Sequence, residues 1–355
     1  MSKLRIGVVS SSVFKCPPVG YAGLEMISYQ CAKGLAALGH RVTLFAPDGS
    51  ECPGAGVHHT GPGGAWSERQ AYDRYWRALP EHDVIIDHSW EKWSYVLKAE
   101  GVLAGPVLGV WHAPVDTMYK ELPPVERPCV VLLSDDQRAH FEALHNRPGR
   151  TCYNGADPDF YRPMNVPRDG RALFLARFST IKGPDLAIKA CRQLGLGLDL
   201  VGDTSITNEP DYFRACAAQC DPVQVRLVGP ETRGGCVLRF SQAHGLLHPN
   251  MRFREPFGLA PVEAMLCGCP VVSWDNGAMR ETVRHGETGY LVKDEKEFLA
   301  AVGALFARDA SGKVLELPAA VRQRCRDWAA SQFSVQAMCE RYEALCLEAV
   351  QTGGW

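Results

Sequence analysis

Residues 4–46 are LRIGVVSSSVFKCPPVGYAGLEMISYQCAKGLAALGHRVTLFA, and this stretch decides the fold. Its two ends are short apolar runs, Leu4–Val9 and Arg41–Ala46, which predict two buried strands. Positions Leu24 to Leu38 have the apolar periodicity of a helix, and Gly39 stands where it would end that helix. A strand, a helix and a second strand in succession are typical of a parallel α/β unit.

The same alternation continues along the chain and predicts two domains. Residues 1–160 form the first Rossmann-like domain, with further strands at 84–87, 107–111, 130–134 and 151–154. Residues 171–330 form the second, with strands at 172–176, 198–201, 225–228, 246–248 and 271–274 and helices at 184–194, 211–220 and 259–267. The boundary is expected in the proline-rich stretch between them, and residues 331–355 are expected to form a helix that packs back across the interface.

Composition excludes several classes of protein. Of the 355 residues, 46% are hydrophobic and 22% are charged, which is not the balance of a disordered or fibrous chain. The net charge of -2 gives no general attraction to nucleic acid or anionic lipid, and the chain has no strong nucleic-acid-binding signature. No signal peptide and no run of about 18 apolar residues are found, so we expect a cytoplasmic protein without a membrane span. The oligomeric state stays open.

The 14 cysteines are scattered among apolar residues and are interpreted as buried free thiols. The closest pairs are Cys267 with Cys269 and Cys216 with Cys220, and neither has a second pair at zinc-ligand spacing. We therefore expect no structural metal ion.

Residues 255–265 are the most informative segment for function. A helix that begins near Gly258 or Leu259 accepts Pro261 in its first turn and leaves Glu255 in the preceding loop, with Glu263 one turn into the helix. Backbone N–H groups around the helix start suit a ligand with hydroxyl or phosphate groups. The competing interpretation is that acidic residues near a helix start only interact favourably with the helix dipole.

This segment resembles the E-x7-E element of the retaining glycosyltransferases of family 4, also called group 1. Members of that family have the GT-B fold, in which two Rossmann-like α/β domains face each other across a cleft. The resemblance covers nearly the whole chain. It is also carried by Gly20–Glu25, Leu35–His40, Asn154–Asp157 with Phe160 and Pro163, Arg177–Gly183, and Gly277, Glu281, Gly286, Gly289 and Leu291.

The resemblance places the acceptor on the first domain, residues 1–160, and the nucleotide-sugar donor on the second, residues 171–330. It also implies roles for residues of the second domain. Glu255 would bind hydroxyls of the donor sugar, and Glu263 would bind the ribose of the nucleotide. Arg177 and Lys182 would hold the diphosphate and neutralise the leaving group, which a metal ion does in other enzymes. Backbone groups near the helix start would orient the sugar; these belong to Phe257, Gly258 and Leu259.

Residues of the first domain complete the implied site. His112 follows a predicted strand and would contact the donor sugar from the other domain. Gly20 and Gly23 lie in a loop without a G-x-G-x-x-G fingerprint, which argues against a nicotinamide dinucleotide site there. The two glycines are expected instead to let the backbone approach the diphosphate. Candidates for the acceptor side are Glu25, His88 and Trp90. Ala22 and Leu24 depart from the usual family loop, which has glycine and threonine at these positions.

The activity implied is transfer of a hexose from a nucleotide-diphosphate sugar to an acceptor hydroxyl with retention of configuration. We expect front-face attack assisted by the leaving phosphate, a UDP-sugar donor with GDP- and ADP-sugars as alternatives, and no metal or other cofactor. The partners are thus the nucleotide sugar and an acceptor that the sequence does not identify. The alternatives are an epimerase or a phosphorylase of the same fold, or a non-catalytic subunit that binds sugar nucleotides.

Overall fold

The computed structural model describes residues 3–20, 22–64, 67–118, 121, 125–204 and 209–355. Contacts divide the chain into two compact units. The first unit combines residues 1–155 with residues 335–355, and the second comprises residues 156–334. Each unit contains a parallel sheet with helices, so the predicted α/β class with two Rossmann-like domains is confirmed.

The elements alternate as the sequence predicts. Those of the first unit are β1 (Arg5–Val9), α1 (Gly23–Ala37), β2 (Arg41–Ala46), β3 (Gly56–His59), α2 (Glu68–Tyr75), a 3₁₀ helix (Trp76–Glu81), β4 (Val84–Asp87), α3 (Ser94–Ala99), β5 (Val107–Trp111), α4 (Val115–Met118), β6 (Val130–Leu132), α5 (Asp135–His145) and β7 (Arg150–Thr151). Those of the second unit are β8 (Ala172–Leu175), α6 (Pro184–Leu194), β9 (Leu198–Val201), α7 (Pro210–Ala217), β10 (Val225–Gly229), α8 (Arg233–Gln242), β11 (Gly245–His248), α9 (Leu259–Leu266), β12 (Val271–Trp274), α10 (Met279–Thr282), β13 (Gly289–Val292), α11 (Glu295–Leu305) and α12 (Ala319–Phe333). The last helix, α13 (Val335–Thr352), belongs to the first unit.

The two sheets have the same winding. The spatial order is β3-β2-β1-β4-β5-β6-β7 in the first unit and β10-β9-β8-β11-β12-β13 in the second. The order therefore reverses between β1 and β4, and again between β8 and β11. Parallel sheets of this type bind ligands beyond the carboxyl ends of the strands at such a switch point. We therefore expect ligand-binding residues in the loops that follow these four strands.

Helix packing in the first unit depends on small side chains. Gly34 of α1 faces α13, and a Cβ atom at this position would overlap the sulfur of Cys339. The glycine thus allows the backbones of α1 and α13 to approach closely. Gly39 has a φ of +95° and follows the end of α1, as its position in the sequence predicts. All cysteines except Cys220 are buried, in agreement with the interpretation of the sequence.

Some elements differ from the sequence-based prediction. The edge strands β3 and β13, the 3₁₀ helix and the helices α2 to α5, α8, α10 and α12 were not predicted. The strands predicted at 130–134 and 151–154 are shorter in the structure. Ser134 is not part of β6 because its hydroxyl accepts the N–H of Gln137 and caps α5. None of the helices in the described ranges combines the length and the apolarity that a membrane span requires.

Candidate active site

The loops at the switch point of the second sheet carry charged side chains. Arg177 and Lys182 follow β8, while His248 is the last residue of β11 and Glu255 lies in the loop after it. β8 and β11 are neighbours in the sheet, so both loops begin at the same edge. This arrangement brings groups that are distant in sequence into one cluster.

Lys182 and Glu255 form a buried ion pair within this cluster. Lys182 Nζ donates to Glu255 Oε2 over 2.5 Å, and the two side chains are only 14% and 10% exposed. The ammonium group also lies 4.8 Å from the centre of the Phe253 ring. Removing both charges from water is unfavourable, and their attraction in a low-dielectric environment offsets this cost. The contacts fix the orientation of the Glu255 carboxylate.

Glu255 is held in its charged form. Burial alone would raise its pKa, but the Lys182 ammonium and His248 lower that pKa to about 2. His248 Nε2 is 3.5 Å from Glu255 Oε2 and has no hydrogen bond within the described part of the chain. Burial lowers the pKa of His248, so the imidazole is neutral at pH 7. Glu255 is therefore a pure hydrogen-bond acceptor.

The backbone of Glu255 is fixed by the loop after β12. Gly277 has a φ of +61°, and a Cβ atom there would overlap the backbone of Glu255. The next residue, Ala278, donates its N–H to the carbonyl oxygen of Glu255 over 2.9 Å. Glycine satisfies both the left-handed conformation and the close approach.

The start of α9 lies four residues beyond Glu255. Gly258 has a φ of +88° and directly precedes Leu259, the first residue of the helix. The first N–H groups of a helix have no carbonyl one turn earlier, so they suit ligand oxygen atoms. The Phe257 side chain is buried, with its ring centre 5.6 Å from that of Phe333. Any contact of Phe257 with a ligand would therefore involve its backbone.

Arg177 is a half-buried cation at the end of β8. Within the described ranges it forms no hydrogen bond and no ion pair. Two residues further on, the hydroxyl of Ser179 is buried and has no partner among the described residues. The guanidinium of Arg177, at the carboxyl end of β8, is thus available to an anionic ligand.

Glu263 belongs to a different set of contacts. The Tyr161 hydroxyl donates to Glu263 Oε1 over 2.6 Å, and Arg233 lies over the Tyr161 ring at 5.7 Å from its centre. Burial raises the pKa of Glu263, and with the opposing effects of Tyr161 and Arg233 the pKa is about 7. The two glutamates of the motif therefore differ in charge state at neutral pH. Glu255 is fully ionised, whereas Glu263 is close to half ionised.

Two histidines meet at the carboxyl edge of the first sheet. His88 follows β4 and His112 follows the neighbouring strand β5, and His88 Nδ1 lies 3.0 Å from His112 Nε2. Trp90 is half-buried, with its ring centre 6.5 Å from that of His112. Burial lowers the pKa of His88 to about 3 and that of His112 well below its usual value. Both rings are neutral at pH 7.

The glycine loop of the first unit has a separate polar contact. Glu25 is buried in the first turn of α1 and accepts a hydrogen bond from the hydroxyl of Ser11, and burial raises its pKa. Gly20 is exposed, and a Cβ atom there would meet open space, while Gly23 is the first residue of α1. Tyr21, part of the motif in the sequence, lies outside the described residues.

The structure thus brings together Lys182 with Glu255, and His88 with His112 and Trp90, while Glu263 and Glu25 have contacts of their own. The sequence-based reasoning missed His248, Phe253 and Tyr161. A signal for His248 exists, because it is a polar residue at the carboxyl end of an otherwise apolar strand. Tyr161 lies in the proline-rich linker and had no such signal.

Comparisons with known proteins agree with this organisation. Residues 164–324 match the family model described as "Glycosyl transferases group 1". A D-inositol 3-phosphate glycosyltransferase of Acidothermus cellulolyticus is 31% identical over 159 residues, which are 41% of this chain and 35% of the relative. That of Mycobacterium avium is 27% identical over 245 residues, or 59% of this chain and 57% of the relative. The chain therefore spans about a third to somewhat over half of these relatives.

Solved structures match nearly the whole chain. AviGT4, a glycosyltransferase of avilamycin A biosynthesis, has a TM-score of 0.72 at 22% identity and covers 98% of both chains. Sucrose-phosphate synthase of Thermosynechococcus elongatus has a TM-score of 0.78 at 20% identity, covering 99% of this chain and 98% of the other. Anabaena HepE in complex with UDP-glucose has a TM-score of 0.74 at 19% identity, covering 98% and 100%. These likenesses confirm the GT-B fold, and within that fold the segment 164–324, slightly less than half of the chain, is similar to the group 1 glycosyl transferases.

Proposed function

We propose that the chain is a retaining glycosyltransferase that moves a hexose from a nucleotide-diphosphate sugar to an acceptor hydroxyl. The observation that carries this proposal is the buried pair of Lys182 and Glu255 at the switch point of the second sheet. Arg177, which forms no ion pair with any described residue, lies in the same loop as Lys182. A cation and a carboxylate fixed in one place match a ligand that has a diphosphate beside a set of hydroxyls.

Each group of this cluster has a part in binding the donor. Arg177 and Lys182 hold the diphosphate, and Glu255 accepts hydrogen bonds from sugar hydroxyls. The low pKa of Glu255 suits this role, because a carboxylate accepts hydrogen bonds and does not donate them. The ammonium group of Lys182 has three N–H groups, so it can donate to a phosphate oxygen while it keeps its contact with Glu255.

Glu263 binds the ribose of the nucleotide. Its second carboxylate oxygen, Oε2, is the atom that would accept from the ribose hydroxyls, since Oε1 already accepts from Tyr161. The backbone N–H groups at the start of α9 orient the sugar, with Gly258 allowing a close approach. On the first unit, His112 contacts the donor, and Gly20 and Gly23 allow the backbone near the diphosphate. Glu25 and Trp90 serve the acceptor side, whereas His88, the other acceptor-side candidate, contacts His112.

The resemblance to the retaining glycosyltransferases implies the course of the reaction. The bond between the anomeric carbon and the diphosphate oxygen breaks, and the acceptor oxygen forms its new bond on the same face of the sugar. The acceptor proton passes to the departing phosphate oxygen, so the configuration is retained. Arg177 and Lys182 favour this step because they stabilise the negative charge that grows on the leaving group.

The relatives suggest where to begin with substrates. HepE was solved with UDP-glucose, which favours a UDP-sugar here, and GDP- and ADP-sugars are the alternatives. The relatives named D-inositol 3-phosphate glycosyltransferase make that sugar-alcohol phosphate a first acceptor to test. The shared segments cover only 35% and 57% of those two proteins, so the acceptor is chosen by experiment.

The test begins with calorimetric titration of the purified chain with UDP, GDP and ADP, each with and without a chelator. We expect one nucleotide to bind and chelation to leave its affinity unchanged. The matching UDP-, GDP- or ADP-glucose is then incubated with D-inositol 3-phosphate and a panel of sugars, and release of nucleoside diphosphate is measured. Proton NMR of the product reads the anomeric configuration.

Two variants test whether the cluster around Lys182 and Glu255 is responsible for the transfer activity. Glu255→Gln should lower turnover at least about 100-fold, whereas Glu295→Gln, on the surface of the same unit, should leave it unchanged. Unchanged turnover in Glu255→Gln would overturn the proposed site. Activity that depends on inorganic phosphate would indicate a phosphorylase. Release of free nucleotide from an altered sugar would indicate an epimerase, and tight nucleotide binding without turnover would indicate a binding subunit.

A further inference from the structure

The contact between His88 and His112 restricts the position of their protons. His88 Nδ1 and His112 Nε2 are 3.0 Å apart, which is a hydrogen bond between two ring nitrogens. One of these nitrogens must carry a hydrogen and the other must not. Both rings are neutral at pH 7, because burial and the charge of Lys92 oppose their protonation. Each ring therefore carries one N–H, and the contact couples the two choices.

Two arrangements satisfy this contact. In the first, His88 Nδ1–H donates to His112 Nε2, so the hydrogen of His112 must be on its Nδ1. In the second, His112 Nε2–H donates to His88 Nδ1, so the hydrogen of His88 must be on its Nε2. The two arrangements differ in what they place at His88 Nε2 and at His112 Nδ1.

The surroundings of His88 distinguish the two arrangements. His88 Nε2 is buried and has no hydrogen-bond partner among the residues described. The second arrangement would leave a buried N–H without an acceptor there, which is rare in folded proteins. The first leaves only a lone pair without a donor.

The environment of His112 suits a group that meets a ligand. Unlike His88, which is fully buried, His112 is partly exposed at the carboxyl end of β5. In the described part of the chain, its Nδ1 has no hydrogen-bond partner. The ring of Trp90 lies at its side, with the two ring planes at 68°. The remaining nitrogen of His112 is thus the polar atom that this pair offers to a substrate.

We propose that His88 is a positioning residue that holds His112 in the Nδ1–H tautomer, so that His112 donates a hydrogen bond to an oxygen atom of the bound nucleotide sugar. The inference rests on the proposed function, which supplies the ligand. It assigns His88 to the support of His112 and not to the acceptor. It also means that His112 does not act as a general base, because its basic nitrogen already accepts from His88.

The tautomer can be read without any substrate. The full chain is labelled with nitrogen-15 in its histidine rings, and the His112 signals are identified from their loss in His112→Asn. We expect a protonated Nδ1 and an unprotonated Nε2 over the range from about pH 6 to 9. A protonated Nε2 on His112, or a ring that becomes charged within this range, would overturn the proposal.

Variants connect the tautomer to catalysis. In His88→Leu, His112 loses its donor, so we expect a mixture of tautomers and a fall in kcat of about 10-fold or more, the size typical of a lost orienting partner. His112→Asn keeps an N–H close to the position of Nδ1 and should retain more activity than His112→Ala. The matched control is Tyr342→Phe, which keeps the ring packed on His88 and removes only its hydroxyl. It should change neither the tautomer nor kcat.

The outcomes separate the possible failures. If kcat falls in His88→Leu while the His112 tautomer is unchanged, His88 acts only through packing and the proposal is wrong. If His88→Leu does not fold, two results still test the proposal. They are the tautomer of His112 in the unaltered chain and the activity of His112→Asn compared with that of His112→Ala. If the unaltered chain has no turnover with any nucleotide sugar, the proposed function fails, and the NMR result still decides whether His88 sets the tautomer.

Discussion

Lys182 Nζ lies 2.5 Å from Glu255 Oε2, and neither side chain is more than 14% exposed. The same unit contains a second lysine-glutamate pair at the same distance, between Lys189 and Glu295, whose side chains are 57% and 46% exposed. The two pairs have the same chemistry and the same separation. They differ in their access to water, which makes the exposed pair a control for the buried one.

We predict that Glu255→Gln lowers the free energy of unfolding by about 3 kcal/mol, because it leaves a buried ammonium group unpaired. Glu295→Gln should lower it by no more than about 1 kcal/mol, as exposed ion pairs contribute little. Urea unfolding at pH 7 measures both. Because the pKa of Glu255 is lowered from 4.5 to about 2, its stabilising effect is present above pH 4.5 and disappears as the pH falls through about 2. Equal losses of unfolding free energy in the two variants would mean that burial does not strengthen the contribution of the Lys182–Glu255 pair to stability.

Arg177 should matter for binding and not for stability. It forms no ion pair within the described ranges, so Arg177→Gln removes no contact that holds the fold. We expect an unchanged melting temperature and a loss of about 10- to 100-fold in affinity for the nucleoside diphosphate, since a charge-assisted contact is lost. Calorimetric titration measures the affinity, and Arg226→Gln, on the exposed part of β10, is the matched control. A lower melting temperature with unchanged affinity would assign Arg177 a structural role.

The fold was largely predictable from the sequence because its central strands are buried on both faces. Strands such as β1, β4 and β12 are short apolar runs, and such runs stand out between polar loops. The edge strand β3 has two histidines in its four residues and is partly exposed, so it lacks this pattern. In α12 only Cys325, Ala329 and Phe333 are buried, which leaves too few apolar positions for a clear periodicity.

The candidate site was predictable only where its residues are close in sequence. Glu255 and Glu263 lie on either side of one helix start, so their spacing is visible in the sequence. Tyr161 lies 102 residues before its partner Glu263, and only the folded unit brings the two together. The charge states were equally hidden, because the pKa values of both glutamates depend on burial and on these distant partners.

Glu263 should make both stability and donor binding depend on pH near neutrality. Its pKa is raised from 4.5 to about 7, so the folded chain keeps the proton over a range in which the unfolded chain loses it. The folded state therefore loses stability as the pH rises from about 4.5 to 7, by roughly 3 kcal/mol, and no further above that. Glu263→Gln cannot ionise and should lack this loss.

The measurement is urea unfolding of the unaltered chain and of Glu263→Gln at about pH 5 and pH 8. Affinity for the nucleoside diphosphate should rise through about pH 7 in the unaltered chain only, because a carboxylate accepts from ribose hydroxyls better than a carboxylic acid. Tyr161→Phe removes a hydrogen bond that lowers the pKa of Glu263, so the pH window should move upward. Identical pH dependence of the unaltered chain and Glu263→Gln would show that another group titrates.

Gly277 and Gly286 have similar backbone conformations but different surroundings. Both have left-handed backbones, with φ of +61° and +79°, but a Cβ atom at Gly277 would overlap the Glu255 backbone, whereas at Gly286 it would meet open space. Gly286→Ala should therefore lower the free energy of unfolding by about 1–2 kcal/mol through backbone strain alone and leave turnover unchanged. Gly277→Ala combines the same strain with a displacement of Glu255. It should lower stability further and reduce turnover at least about 10-fold, because catalytic groups tolerate little misplacement. Urea unfolding and donor turnover of both variants test this, and equal turnover in the two would mean that the close approach of Gly277 does not position Glu255.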